Sequence, residues 1–202
     1  MVSRMNSGEG AHEPSDPGLS HWTAFGDAAS AGDGRTSRFE GTVQRVDGGC
    51  IWLGAGKANA TATGVRHEVP SRVRLQALVG RAVRVTIVCE RWTGDGEERV
   101  DRTFTISSDE GHVWLIARSG TVRGVTHSMG EGSVLHVALS QRPRGPLVIG
   151  TAELQWLVSP GQAATLPMPN GSSCRVLLVE RRPDNTASYV LADPSLLDDE
   201  RS

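Results

Sequence analysis

Histidines are the residues in this chain best suited to hold a metal or move a proton, and there are six of them. Two, His127 and His136, flank a Gly-rich turn at residues 129–132. If those four residues join two strands directly, His127 faces Val134 and His136 stands one diagonal step away on the same sheet face. The two imidazoles then come within reach of each other. A zinc-type site needs at least a third donor, and His112 and Glu131 are the nearest in sequence. His127 and His136 are therefore the candidate metal ligands, and a metal-dependent enzyme is one alternative reading of function. The default remains two ordinary surface or half-buried histidines, and no cofactor is expected.

A second concentration of chemistry is basic and aromatic. Arg66, Arg72, Arg74, Arg81, Arg84 and Arg91 fall within one connection and the strand after it, opposed in that stretch by Glu68 and Glu90. With Trp52 and Trp92 they provide what a groove for single-stranded nucleic acid uses: cations for the backbone and aromatic faces for the bases. Arg72, Arg74, Arg84, Trp52 and Trp92 are the binding candidates on this alternative reading. The competing expectation is that acids at Asp95, Glu97, Glu98 and Asp101 neutralise the arginines across the next hairpin.

Other signatures are missing or incomplete. Residues 133–138 carry one histidine and no following glutamate, so the paired-histidine metal motif of the cupins is not present. Gly54-Ala55-Gly56-Lys57 is followed by alanine where a phosphate loop needs serine or threonine, and no helix pattern follows to supply free N–H groups. Cys50, Cys89 and Cys174 are odd in number and far apart, which points to small buried hydrophobes instead of disulfides or a zinc site. A formal net charge of −2 provides no whole-molecule field toward nucleic acid or anionic lipid. No stretch has the apolar length of a signal peptide or a membrane span, so the expected location is cytoplasmic, without membrane contact.

The elements that must position these residues are strands. From Phe39 onward apolar residues alternate with polar ones in short runs separated by Gly, Asp and Pro turns, the pattern of half-buried antiparallel strands. The spacing predicts strands over 38–46 and 50–53 joined by Asp47-Gly48-Gly49, a looser one over 60–68, and a single helical turn ending at Gly80. It predicts a strand over 82–91 with Val83, Val85, Ile87 and Cys89 on one face, and a partner carrying Val100, Phe104 and Ile106 inward. Residues 112–118 are apolar on both faces, as in a central strand covered twice. Further strands are expected over 121–127, 133–140, 146–157, 163–166, 172–181 and 187–191.

The expected architecture is all-β: two successive antiparallel units with little helix, a small barrel or bent sheet over 37–118 and a sandwich-like sheet over 119–195. Residues 1–36, rich in Gly, Ser, Asp and Pro, are expected to be disordered, with Trp22 and Phe25 as an apolar island suited to a partner motif. Residues 196–202 read as an acidic tail. The function this architecture favours is a non-catalytic binding or assembly module that recruits a protein partner, whose identity and stoichiometry the sequence leaves open.

Overall fold

The structure, a computed structural model, describes residues 35–55, 62–94, 97–130, 132–142 and 144–198. Trp22 and Phe25 lie outside them. The described chain is all-β, with thirteen strands in two antiparallel sheets and one 3-10 turn at Leu75–Leu78.

β1 (Arg35–Asp47) and β2 (Cys50–Gly54) form the first hairpin. Asp47 pairs with Cys50 across Gly48 and Gly49, both at positive φ (48° and 80°), so the Asp-Gly-Gly sequence makes the two-residue turn that matches strand twist. β1 starts at Arg35, just inside the stretch expected to be disordered. It is a corner strand: residues from Arg35 to Thr42 pair with β4 (Ala82–Gly94), and from Thr42 onward it pairs with β2 through an irregularity between Val43 and Arg45. β3 (Thr63–Arg66) adds to β2, and β5 (Glu97–Ser107) and β6 (Val113–Thr121) follow β4.

The chain then changes sheets. Where one strand over 121–127 is expected, β6 ends at Thr121, residues 122–124 turn, and β7 (Val125–Ser128) opens a four-stranded sheet with β8 (Val134–Leu139), β9 (Leu147–Gly150) and β10 (Gln155–Val158) in the order β10-β9-β8-β7. The single strand expected over 146–157 is likewise two. Thr151 breaks it by accepting the amide N–H groups of Glu153 (3.4 Å) and Leu154 (3.3 Å) on its hydroxyl, a side-chain turn that competes with strand continuation. β11 (Ala163–Pro167), β12 (Ser173–Arg181) and β13 (Thr186–Ala192) return to the first sheet, whose order is β11-β12-β13-β6-β5-β4-β1-β2-β3.

β13 pairs directly with β6, so the nine-stranded sheet runs through the position where the two units were expected to meet. β6, β12 and β13 are buried on both faces. Leu115, Leu177 and Val190 enter one core with Val83, Val85, Ile87, Cys89, Phe104 and Ile106. Ile116, Leu178 and Tyr189 enter a second core, against Leu135, Val137, Leu147 and Ile149 of the four-stranded sheet. Double burial accounts for the run of apolar residues in β6 without alternation.

Two side-chain expectations are corrected. Val100 does not point into the core but is 43% exposed, because pairing of β5 to β6 begins only at Arg102 and Val100 lies beyond it. Leu196 and Leu197, assigned above to an acidic tail, are fully buried in the first core. Arg74 N–H donates to the Leu196 carbonyl (2.7 Å), and Val73 bridges to Leu197. Two adjacent leucines bury enough apolar surface to dock a terminus that composition alone reads as polar.

Candidate functional site

The expected basic groove dissolves into separate, locally matched charges. Arg84 lies on the solvent side of β4 and pairs with Glu40 (2.6 Å) and Asp109 (3.3 Å). Arg72 donates to the Gly161 carbonyl (2.9 Å), Arg74 pairs with Asp198, and Arg91 pairs with Glu98 (2.6 Å). The Trp52 ring is buried, with its N–H donating to Asp47 (2.9 Å) and Arg45 stacked over its face at 4.4 Å. Trp92 is paired through its backbone with Arg99, and its side chain lies outside the described residues. Of the acids expected to neutralise the cluster, Glu98 does so, whereas Asp101 turns to Arg118.

The histidine pair does not form. His127 is opposite Leu135 and His136 opposite Thr126, one residue out of the expected register, because the Met129 N–H donates to the Ser133 carbonyl (2.8 Å) and the connection between paired residues is odd in length instead of the expected four. With a side-chain period of two, that slip places the rings on opposite faces. His127 points inward, 7% exposed, and its Nε2 shares a 2.7 Å hydrogen bond with the Tyr189 hydroxyl. Burial, with the nearby Arg118 charge, pulls the His127 pKa down to about 4, and burial pushes that of Tyr189 up. His136 faces solvent, its Nδ1 3.3 Å from the Thr126 hydroxyl. Among the described residues no group of three or more His, Cys, Asp or Glu side chains is placed to hold a metal ion. The Cys174 thiol, buried, is pushed up to about 12, far from a reactive thiolate.

A polar network missed in the sequence locks β5 to β6. Asp101 is 2% exposed, accepts the Thr121 N–H (2.7 Å) on one oxygen, and pairs with Arg118 (3.2 Å) through the other. Arg118 also donates to the Thr103 hydroxyl (2.8 Å) and the Thr121 carbonyl (3.2 Å). Gly120 passes so close that a Cβ there would lie 2.2 Å from an Asp101 oxygen, with φ at +145°. The network closes the ends of strands packed on both sides, a structural role.

Among the described residues, the outer face of the four-stranded sheet is a solvent-facing surface without charged side chains. Registers place Leu157, Val148 and Ala138 in one row across β10, β9 and β8. The next row is Gln155, Gly150, His136 and Thr126, followed by Val134 and Ser128. None of these nine residues is Asp, Glu, Lys or Arg. Leu157 is 68% exposed and Val134 37%, and Leu154, in the β9–β10 turn, is 53% exposed. The inner face, through Leu135, Val137, Leu147 and Ile149, is fully buried, so a packed core holds this outer face rigid. Exposed Arg123, Arg142 and Arg144 stand in the turns at the end nearest the apolar row. Inspection of strand 133–140 could have found this face, since its solvent positions Val134, His136 and Ala138 carry no charge.

No family model, curated protein or solved structure matches this chain. Among the described residues no helix is long and apolar enough to cross a membrane.

Proposed function

We propose that this protein is a non-catalytic binding module that recruits a protein partner through the outer face of its four-stranded sheet. The observation that carries the reading is the apolar row Leu157, Val148 and Ala138, Leu157 exposed and the other two half-buried, on a face without a formal charge. Solvent faces of antiparallel sheets ordinarily carry charged side chains, and edge strands are usually guarded by them. Here β10 is an edge strand whose exposed residues are Gln155 and Leu157.

Strand spacing makes the face roughly 15–20 Å wide and about 13 Å along its strands. That is the size of the dry centre of an interface, well short of the roughly 800 Å² per partner that a stable complex buries. The arginines at 123, 142 and 144 border this centre and supply the charged rim, which fits a partner whose apolar ridge is flanked by acidic residues.

The test is photocrosslinking with p-benzoylphenylalanine in place of Leu157, compared with the same group at exposed Thr165 on β11. Position 157 is expected to give a discrete crosslinked partner that position 165 does not, lost when Val148 and Ala138 are both replaced by lysine. Equal patterns from the two positions, or crosslinks indifferent to the two lysines, would refute it.

A further inference from the structure

Between residues 66–70, which return from β3, and one face of the nine-stranded sheet lies a cavity of about 210 Å³. Its floor is apolar, made by Ile87, Phe104, Ala117 and Val190 from four neighbouring strands. At one side Ser119 and Ser188 satisfy each other, their hydroxyl oxygens 2.9 Å apart. At the mouth Arg102 pairs with Glu68 at 2.8 Å, and Glu180 with Arg182 at 3.0 Å, so the acids bordering the cavity are already matched.

Three donors are not matched. His67 Nε2, Arg102 Nε and Arg118 Nε are buried without a hydrogen-bond partner, and all three residues line the cavity. The tautomer of His67 follows from its other nitrogen: the Val69 N–H donates to Nδ1 (3.2 Å), so Nδ1 carries no proton. Burial lowers the pKa of the ring and keeps it neutral at pH 7, which leaves the proton on Nε2. An N–H without an acceptor in a buried place costs free energy that an incoming oxygen recovers.

We propose that this cavity is a binding site for a small uncharged molecule with an apolar, ring-sized body and one carbonyl-type oxygen, the body resting on Phe104, Ala117 and Val190 and the oxygen accepting from His67 Nε2–H or Arg102 Nε–H. The size fits: an apolar protein cavity of about 150 Å³ accepts benzene, and this one has room for a ring with a short carbonyl substituent. The site lies on a different sheet from the proposed partner face and stands independently of it.

Acetophenone, ethylbenzene and benzoate are the probes, read by ¹H–¹⁵N shifts of the Phe104, Ala117 and Val190 amides. Acetophenone is expected to bind at least about tenfold more tightly than ethylbenzene, which has nearly the same shape without the acceptor, because a site built around donors rejects the analogue that leaves them unpaired. Benzoate is expected to bind more weakly than acetophenone, its charge finding only cations already paired. Ala117→Leu, which fills the floor, should abolish the shifts; if that variant does not fold, Ser188→Leu, nearer the mouth, serves instead. His67→Phe should reduce the preference for the ketone. No shifts at millimolar acetophenone, equal affinity for ethylbenzene, tighter binding of benzoate, or binding undiminished by the cavity-filling variant would each overturn the proposal.

Discussion

His127 makes the stability of this fold depend on pH in a defined window. The ring is 7% exposed, beside the Arg118 charge, and its pKa falls from 6.5 to about 4 in the folded protein. Above pH 6.5 the imidazole is neutral in both folded and unfolded chains, and the stabilisation is fully present. As pH drops below 6.5 the unfolded chain takes up a proton that the folded chain refuses until about pH 4. Stability is therefore lost on acidification, with a slope approaching about 1.4 kcal/mol per pH unit, and the total over the window is about 3 kcal/mol. Against a whole-domain stability of roughly 5–15 kcal/mol, that is a large fraction.

Urea unfolding at pH 7, 6, 5 and 4.5 measures it, with His127→Leu/Tyr189→Phe as the reference protein. The double change is needed because removing His127 alone leaves the Tyr189 hydroxyl buried without its 2.7 Å partner, which costs about 1–3 kcal/mol by itself. His67, whose pKa burial also lowers, pushes in the same direction and is common to both proteins, so it cancels in the difference. The wild type is expected to lose about 2–3 kcal/mol more than the double variant between pH 7 and pH 4.5. Parallel profiles for the two proteins, or an NMR titration of His127 near its ordinary value, would refute the reasoning.

Three further outcomes follow from the polar network and the second histidine. Asp101→Asn should destabilise by about 3 kcal/mol in urea unfolding, because it leaves the Arg118 charge, 10% exposed, without its counter-ion. Gly120→Ala should lower stability by at least about 2 kcal/mol, since the backbone is at φ +145° and the new Cβ collides with Asp101; an unchanged melting temperature would contradict the strand contact. His136→Ala, on the open face, should change stability by no more than about 0.5 kcal/mol and leave the pH profile of His127 intact.

Alternation of side chains made β4 and the hairpin at Asp47 legible, because both are decided by neighbours in sequence: a period of two, and two glycines that accept positive φ. It also predicted the double burial of β6, where Leu115 and Ile116 enter different cores. What it missed is set by contacts far along the chain. Val100 alternates correctly and is still exposed, since no local signal says where β6 stops pairing. Leu196 and Leu197 look like the start of an acidic terminus, and only the docking of residues 73–75 beside them explains their burial.

The two histidines show how a site depends on such details. Their types and nine-residue separation are fixed by sequence, but whether they meet turns on whether the connection between the paired strands is even or odd in length. That change of parity sends His127 toward Tyr189 and His136 to solvent, and a candidate metal centre becomes a buried hydrogen bond behind an uncharged outer face. The same parity puts Val134, His136 and Ala138 together outside and Leu135 and Val137 inside, so the register that dissolves the metal site also builds the uncharged surface. A slip of β8 by one residue against β7 would turn His136 inward beside His127 and expose Leu135 and Val137. The cost of burying a second imidazole and uncovering those core side chains keeps the observed register in place.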